Sequence, residues 1–465
     1  MGSMAGGALR FKRILEQSTA LSVFDVQWIH HAAAAARHRG RRCYWTPVVT
    51  ITTFLRQILF GNCSCREAVA LTVSSDVAGE AKFEDVDFRE ISGDPSAYSQ
   101  ARSRLPLAMF THLHRRISDA SRERVGALLP WCNRRVIVTD GSTIVMPDEP
   151  ALQAAFPQPG SQKPGCGFPM ARLTALFCWA SGTLLELAID SIHVHELTLL
   201  RRMFKQFRAG DVLLGDRIFC SYVDIVLLQE QKVDSVTRMH VSRCNDMRKG
   251  IRLGANDRLV EWQRPHKRPA HLTQEQWKTI PATMTIRHVR YDVNTPGFRT
   301  QRIELATTLL DPLRYPVEEL AQLYRGRWRA ELNLRNLKST LGMDQLHTRS
   351  VDMIRKEVAM YVIAYNMIRM LMWQAAIKYK TDPQRLTFAG TVQRLTAMMP
   401  YMAICRSEQQ RQMMHIKLLT YLAHDVLPSR PNRYEPRRIK RRHNQYLPLF
   451  KTRNEHKNYL MKQSA

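Results

Sequence analysis

The chain has 465 residues, 45% of them hydrophobic, which is typical of a folded protein with two or three domains and excludes a disordered chain or one small core. Its 69 Lys and Arg residues outnumber its 41 Asp and Glu residues, giving a formal net charge of +28. Solubility alone needs far less charge, so the excess indicates a polyanionic partner, of which nucleic acid is the commonest. A basic protein of the membrane surface is the alternative that charge leaves open.

The cysteines and the longest apolar run argue against a secreted or membrane-spanning protein. The nine cysteines are scattered and form no C-x-x-C pair, a pattern typical of free thiols in a reducing cytoplasm. Residues 1–10 lack an apolar core, so we expect no secretory signal. The run 358–377 has nearly the length of a membrane span, but Asn366 and Arg369 interrupt it, which favours a buried helix.

The spacing of apolar residues predicts helices in residues 1–130. In the segments 54–73 and 97–120, apolar residues recur every three or four positions, and an acidic, turn-rich connector, 76–96, lies between them. The arginines of the second segment fit a DNA-facing surface and a solvated surface equally well.

The next predicted elements belong to a mixed sheet. From residue 134 the pattern changes to short, β-branched segments that later alternate with helices. The predicted order is strands 134–146, 170–180 and 183–194, helix 196–210, strand 211–216, helix 221–232 and strand 233–240. Hairpin-connected strands followed by alternating helices and strands predict a mixed sheet with helices on its faces.

A β-rich segment then interrupts this order. Residues 244–310 contain three strand-like stretches, and the helical pattern resumes at residue 316 and continues through residue 378. The final stretch, 430–457, holds ten Lys or Arg against two Asp or Glu, a balance of 10 − 2 = +8. Its prolines and low apolar content predict an extended basic tail.

Two aspartates occupy equivalent places in the predicted sheet. Asp140 lies where the first strand is expected to end, and Asp216 closes the strand 211–216. A rigid sheet aims side chains at strand ends while the loops leave room for a ligand. A single aspartate there is more often a turn former or a helix cap, so a site needs a third carboxylate from an adjoining helix.

The stretch 324–343 supplies such a carboxylate. At 100° per residue, Arg327, Glu331 and Lys338 share an arc of about 60° with the first residue, directly beside the apolar stripe that faces the core. Polar groups in that place can meet side chains from strand ends. If Gly326 breaks the helix, the first residue belongs to the preceding element, and the register of the other three is kept. A solvent-facing helix with an ion pair four residues from Glu331 explains the spacing as well, so periodicity alone leaves both interpretations open.

The spacing Y-x2-R-x3-E-x6-K that begins at Tyr324 resembles the YREK signature of the DDE transposases of the insertion-sequence-four family. Stretches similar to that family also precede the sheet, surround both aspartates and flank the signature: 97–106, 139–148, 215–222, 307–312 and 358–369. The likeness covers roughly residues 45–445.

The resemblance implies a fold and a metal site. The implied fold class is α/β: an RNase H-like mixed-sheet catalytic core with a β-rich insertion and an α-helical N-terminal domain. Asp140, Asp216 and Glu331 are implied as the catalytic triad and as ligands of two Mg²⁺ ions, with Mn²⁺ as a substitute. Carboxylates are the ligands that Mg²⁺ prefers, and two such ions suit an in-line displacement at an anionic phosphorus.

The chain is divided accordingly. The division is a helical N-terminal DNA-binding domain at 1–130, the core in two parts at 131–243 and 313–378, the β-rich insertion at 244–312, and a C-terminal helical region with a basic tail at 379–465.

The resemblance also implies DNA-binding residues. Tyr324, Arg327 and Lys338 are implied to bind the 5′ phosphate beside a flipped base, the arginine as a bidentate fork and the lysine as a point charge. Arg217, directly after the second aspartate, is taken as a further DNA-binding residue, although pairing with a carboxylate stays open. Some relatives stack the flipped base on an aromatic residue in the strand before the signature. The stretch 302–312 has none, which leaves the flipping device and a hairpin route open.

Four other residues of the region are interpreted as structural. Trp262 and Trp277, in the insertion, are expected in a hydrophobic core rather than as base wedges. His193 and His195 form an H-x-H pair at the end of a strand, a weak metal signal for which a structural role is favoured.

We interpret the sequence as a bacterial cut-and-paste transposase of the cytoplasm and nucleoid, without a membrane partner. It is expected to bind double-stranded transposon ends as a homodimer, to excise them, and to join their 3′-hydroxyl ends to target DNA. One alternative is a catalytically inactive, transposase-derived DNA-binding protein, which predicts the loss of a carboxylate, and all three are present. The other is a metal-dependent nuclease on the same fold, which the sequence does not separate from a transposase.

Overall fold

The computed structural model describes most of the chain. The described residues are 26–39, 43–77, 93–121, 131–240, 243, 247–293, 301–403, 405, 407–427 and 452–463. Most of the predicted connector 76–96 and most of the predicted tail 430–457 lie outside the described residues.

Five described helices precede the sheet, as the apolar spacing of the N-terminal segments predicts. They are α1 (Val26–Ala35), α2 (Pro47–Leu59), α3 (Cys65–Val77), α4 (Pro95–Arg104) and α5 (Leu107–Ser121). Helices α2 and α4 each begin with a proline after a capping side chain, because proline lacks the N–H that the first helical position leaves unpaired. The caps are Thr46, which accepts from the Val49 N–H, and Asp94, which accepts from the Ser96 N–H.

The central sheet confirms the predicted mixed strand arrangement. Its first strands are β1 (Val136–Val145), β2 (Met170–Cys178), β3 (Leu184–Ser191), β4 (Val212–Gly215) and β5 (Asp234–Arg238). They lie in the order β3-β2-β1-β4-β5; β2 is antiparallel to β1 and β3, whereas β1, β4 and β5 are parallel. The first four residues of β1 and all of β4 are buried, which fits a strand covered on both faces.

Three short helices connect these strands: α6 (Pro150–Ala155), α7 (Glu196–Arg202) and α8 (Tyr222–Glu230). The prediction of one helix over 196–210 is too long. Helix α7 ends at Arg202, and a separate 3₁₀ turn, Phe204–Gln206, follows it.

The segment between the two parts of the core is β-rich, as predicted. It contains β6 (Ile251–Gly254), β7 (Asp257–Gln263), α9 (Gln274–Thr279), β8 (Thr283–Val293) and β9 (Gln301–Thr307). Strand β9 pairs with β5, and β8, β7 and β6 follow, so nine described strands form one sheet. Trp262 is 3% exposed in a cluster of buried side chains, and Trp277 packs against that cluster, which confirms the structural role expected of both.

The second part of the core is helical. Its elements are α10 (Val317–Arg325), α11 (Trp328–Arg335), a π-helix (Asn336–Thr340), α12 (Val351–Tyr379), α13 (Phe388–Ala403), α14 (Glu408–His424) and α15 (Arg453–Gln463). The prediction of an extended tail at 430–457 is wrong for its last residues, because residues 453–457 belong to helix α15.

Helix α12 is the buried helix that the run 358–377 predicts. The amide of Asn366 explains one polar interruption: it donates to the Leu184 carbonyl and the Ser118 hydroxyl and accepts from the Leu184 N–H, so it fastens α12 to α5 and β3. Within the described ranges, no helix is long and apolar enough to cross a membrane. The eight cysteines that the structure describes are free thiols.

Candidate active site

The sheet places the two aspartates side by side. Strand β1 runs parallel to β4 with Val138 opposite Leu214, and the same register continued by two residues sets Asp140 beside Asp216. The prediction that Asp140 ends its strand is wrong, because β1 continues to pair with β2 as far as Val145. It lies instead where β1 has passed the end of its neighbour β4.

Asp216 follows β4 directly and turns the chain. Its carboxylate accepts the Ile218 N–H at 2.8 Å and caps the 3₁₀ helix Arg217–Phe219. The side chain of the next residue, Arg217, makes no hydrogen bond or ion pair with any described residue, so the alternative that it pairs with a carboxylate finds no support within the described chain.

The signature stretch occupies three elements rather than one regular helix. Tyr324 lies in the last turn of α10, Gly326 ends that helix, and Glu331 lies in α11, while the π-helix holds Lys338. A uniform 100° register across the stretch is therefore wrong, although its main consequence holds. The Lys338 ammonium donates to the Ser142 hydroxyl at 2.9 Å, which brings the stretch to β1, two residues from Asp140.

Glu331 forms the ion pair that the periodicity left open. Its Oε1 lies 2.5 Å from Arg327 Nη2, with the two side chains 33% and 16% exposed. The pair does not face away from the sheet, however, because the charges of both residues act on the half-buried Asp140 of β1.

Burial raises the pKa of Asp140 to about 6. The Gly141 N–H and the Arg327 charge lower the pKa, whereas the charges of Glu331 and Asp216 raise it. Both of the other predicted carboxylates, Asp216 and Glu331, therefore lie within electrostatic range of Asp140.

These residues fit a divalent metal ion by their chemistry. They offer carboxylate oxygens from three separate elements, and after burial the charges of Glu331 and Asp216 add to the rise in the pKa of Asp140. Among the residues that the structure describes, no three His, Cys, Asp or Glu side chains are already arranged as a metal site. Glu331 is paired with Arg327 instead, so an ion has to compete with that guanidinium.

A cationic and aromatic group borders the carboxylates. Tyr324 is 8% exposed, and the Arg327 guanidinium carbon lies 5.8 Å from its ring centroid. Burial raises the pKa of Tyr324, the charges of Arg327 and Arg238 lower it, and Asp216 raises it. Arg238, which ends β5, is a neighbour of the site that the sequence did not indicate.

Glu196 is a second neighbour missed from the sequence. It is the first residue of α7, and its carboxyl lies against Gly141, the residue after Asp140. The available signal was the glycine next to the first aspartate, since a glycine in a strand marks a close approach by another group. His195, just before Glu196, caps α7 by accepting the Leu197 N–H at 3.2 Å, which is a structural role.

Comparison with known proteins identifies the family of the chain. The family model described as the transposase DDE domain matches residues 131–367, which is 237 of 465 residues, about half of the chain. The chain therefore belongs to the DDE transposases. Its mixed sheet is that of an RNase H-like core.

The subfamily follows from a relative. Transposase InsG for insertion sequence element IS4 of Escherichia coli strain K12 is 25% identical over 316 residues, which are 65% of this chain and 67% of the relative. The protein is thus a DDE transposase of the insertion-sequence-four family, an enzyme of DNA cleavage and strand transfer. Enzymes of this family use divalent metal ions and act on DNA.

A solved structure shows a weaker likeness. A synaptic complex of piggyBac transposase with hairpin DNA aligns with 87% of this chain and 82% of its own, at 10% identity and a TM-score of 0.39.

Proposed function

We propose that this transposase binds the terminal inverted repeats of an insertion sequence, cuts the phosphodiester bonds at its ends and joins the 3′-hydroxyl ends to target DNA. Asp140, Asp216 and Glu331 are the catalytic residues and hold two Mg²⁺ ions, for which Mn²⁺ substitutes. The observation that supports this assignment most directly is that both other carboxylates act on the charge of Asp140, although all three are far apart in the sequence.

The chemistry needs no nucleophile from the protein. Divalent ions at such a site activate the attacking oxygen and stabilise the leaving one. The contribution of the chain is to bring acidic side chains from β1, from the end of β4 and from α11 to one place, where rigid elements hold them.

Arg327 has two successive partners in this proposal. In the DNA-free chain its guanidinium pairs with Glu331. A backbone phosphate is a bidentate partner of the same geometry, so bound DNA competes for the guanidinium and leaves Glu331 free to bind metal.

Other cations complete the DNA contact. Lys338, which contacts β1 through Ser142, binds phosphate as a point charge. The ring of Tyr324 packs against the Arg327 guanidinium and helps to orient it. Arg217, which has no described protein partner, binds the DNA backbone beside Asp216.

The wider organisation follows the sequence-based division at residues 130, 243, 312 and 378. The helical N-terminal domain binds the transposon ends, and a homodimer pairs two such ends. The enzyme works at the nucleoid in the bacterial cytoplasm, where its charge of +28 favours DNA.

The test incubates the purified full chain with DNA that carries the element's ends, with and without Mg²⁺. The wild type should release 3′-hydroxyl ends and form joined products, and denaturing gels distinguish hairpin ends from other excision routes. Asp140→Asn, Asp216→Asn and Glu331→Gln should each bind DNA but cleave at least about a thousandfold more slowly.

The matched control is Glu318→Gln, which removes an exposed carboxylate from the neighbouring helix α10. Cleavage without joining would identify a nuclease on this fold. Cleavage at the wild-type rate by any variant of the three would refute the catalytic assignment.

A further inference from the structure

A cavity of about 430 Å³ lies between the N-terminal helices and the start of α12. Its walls come from the end of α2, the turn into α3, helix α4, the segment 347–349 and the first turns of α12. Exposed residues at its rim, Ser64, His347 and Arg349, show that the cavity reaches solvent. The volume lies within the range of roughly 300–1,000 Å³ that is typical of ligand sites, and the described residues that line the cavity differ from those of the carboxylate site.

Arg102 gives this cavity a buried positive charge. Its side chain is 7% exposed, and the guanidinium lies 4.7 Å from the ring centroid of Phe54 and 5.0 Å from that of Tyr98. Its Nη1 donates to Gln57 Oε1 at 2.9 Å and its Nη2 to Cys65 Sγ at 3.4 Å. Its Nε is buried without a hydrogen-bond partner, and no carboxylate of the described chain forms an ion pair with this guanidinium.

The carboxylate that lines the cavity is bonded elsewhere. Glu357 accepts hydrogen bonds from the Asn62 amide, from the His347 N–H, and from both the N–H and the hydroxyl of Thr348. These donors satisfy Glu357, whereas Arg102 keeps a buried donor and a charge without a counter-ion. Such a charge is unfavourable in a protein interior, so an anion that enters the cavity gains a strong partner.

The rim of the cavity adds a second cation. The side chain of Arg349 is 80% exposed, and its contact with Glu149, at 3.5 Å, is a loose surface pair that a stronger anion can replace. Cys63, Cys65 and His347 also line the cavity, but among the residues that the structure describes no three His, Cys, Asp or Glu side chains are arranged to bind a metal ion. The cavity therefore suits an anion better than a cation.

We propose that this cavity binds a phosphate group of the DNA backbone, at a place separate from the catalytic carboxylates. The inference rests on the proposed function, in which the N-terminal helices bind the transposon ends. A phosphate matches the guanidinium of Arg102 in charge and in hydrogen-bonding geometry, and Arg349 supplies a further contact from the rim.

A short segment connects this cavity with the phosphate contact proposed for Lys338. The segment leaves the π-helix, passes Gln345, which pairs with Val145 at the end of β1, and reaches the cavity at Thr348. Phosphate contacts at both ends of the segment would hold one DNA backbone along this edge of the sheet.

The first test measures binding of end DNA to the full-length protein at several salt concentrations. Arg102→Met keeps an apolar stem against the two rings and removes the charge. It should weaken binding about tenfold and reduce the slope of log binding constant against log salt by about 0.9, as for one lost phosphate contact. Arg102→Lys keeps the charge and should keep the slope. The control, Arg252→Met, removes an exposed arginine of β6 in the insertion and should bind like the wild type.

The second test reads the cavity directly through Cys65, whose sulfur contacts Arg102. The full-length protein is treated with N-ethylmaleimide, and mass spectrometry follows the alkylation of each cysteine. End DNA should slow the alkylation of Cys65 in the wild type more than in Arg102→Met, while the exposed Cys43 serves as the internal control. Inorganic phosphate, compared with chloride at equal ionic strength, is the second arm and should protect Cys65 only at much higher concentration.

The outcomes separate a DNA contact from its rivals. If phosphate protects Cys65 and end DNA does not, the ligand is a small free anion and the DNA contact is refuted. If neither protects Cys65 and Arg102→Met keeps the wild-type slope, Arg102 is purely structural. Should Arg102→Met fail to fold, Arg349→Gln at the exposed rim replaces it, and an unchanged slope in that variant also refutes the contact.

Failure of this inference differs from failure of the proposed function. A wild type that cleaves end DNA, with Cys65 unprotected and the slope unchanged in the variants, leaves the transposase function standing without the cavity. A wild type that does not bind end DNA refutes the proposed function, and the phosphate site with it.

Discussion

Asp140 and Asp216 are held by the backbone ladders of the sheet, whereas Glu331 is held by side-chain contacts of a broken helix. The strands fix the aspartates through pairing with β2, β4 and β5. The helical half depends on the Arg327–Glu331 ion pair and on the hydrogen bond from Lys338 to Ser142. We therefore expect the sheet half to be preorganised and the helical half to be the part that responds to DNA and metal.

Outside the three carboxylates, the largest expected effect concerns the link between the two halves. Lys338→Ala removes the ammonium that contacts phosphate, and a charge-assisted hydrogen bond of this kind is worth about 1.5–3 kcal/mol, so the cleavage rate at saturating DNA should fall roughly 10- to 100-fold. Ser142→Ala leaves the ammonium in place for phosphate and should cost a few-fold at most.

Single-turnover cleavage rates check this difference. Lys278→Ala, on the exposed face of α9 in the insertion, is the control and should cleave like the wild type. Equal losses for Lys338→Ala and Ser142→Ala would mean that Lys338 holds the helix in place and does not act on DNA.

The second prediction concerns the sheet half. The pKa of Asp140 is raised from 3.8 to about 6, so the folded protein holds this proton more tightly than the unfolded chain. The stabilisation that comes from protonated Asp140 is therefore lost as the pH rises from about 4 through about 6. In metal-free buffer at pH 8, Asp140→Asn should increase the free energy of unfolding by about 1–2 kcal/mol, and near pH 4 it should have little effect.

Denaturant unfolding at the two pH values measures this effect. Asp190→Asn is the control with the opposite sign, because the ion pair with Arg202 helps to hold the pKa of Asp190 below its usual value. Added Mg²⁺ should stabilise the wild type more than Asp140→Asn. A loss of stability in Asp140→Asn at pH 8 would show that Asp140 is not electrostatically unfavourable in the sheet.

The smallest expected effect concerns the DNA contact proposed for Arg217, which follows Asp216 at the edge of the sheet half. Arg217→Ala should leave the fold intact, because Arg217 has no described partner, and it should reduce the slope of log binding constant against log salt by about 0.9, as for one phosphate contact. Arg302→Ala in the insertion is the control. An unchanged slope for Arg217→Ala would place this residue away from DNA.

The difference between the two halves also explains what the sequence could predict. Strands β1 to β5 were predicted because each is a short apolar or β-branched run with clear ends. The pairing of β9 with β5 was not, since strand partners depend on contacts between distant segments. The break at Gly326 was visible in the sequence because glycine often ends a helix, whereas the π-helix at Asn336–Thr340 is invisible to a register that assumes regular helical turns.

The same limit applies to the site. Asp140, Asp216 and Glu331 were identified through motif spacing, and the structure brings their charges together. Glu196 carries no motif, and its approach to Gly141 arises only when β2, β3 and α7 fold back onto β1. Its neighbour His195 belongs to an H-x-H pair that is visible in the sequence. The structural role expected of His195 is that of a helix cap.

The most direct measurement of whether the three acidic segments meet at one ion replaces Mg²⁺ with Fe²⁺ and maps the cuts that locally generated hydroxyl radicals make in the polypeptide. The full chain bound to end DNA should be cut near residues 140, 216 and 331, and excess Mg²⁺ should suppress all three cuts together. Cuts confined to one of these segments, or cuts that Mg²⁺ does not suppress, would contradict a shared metal site.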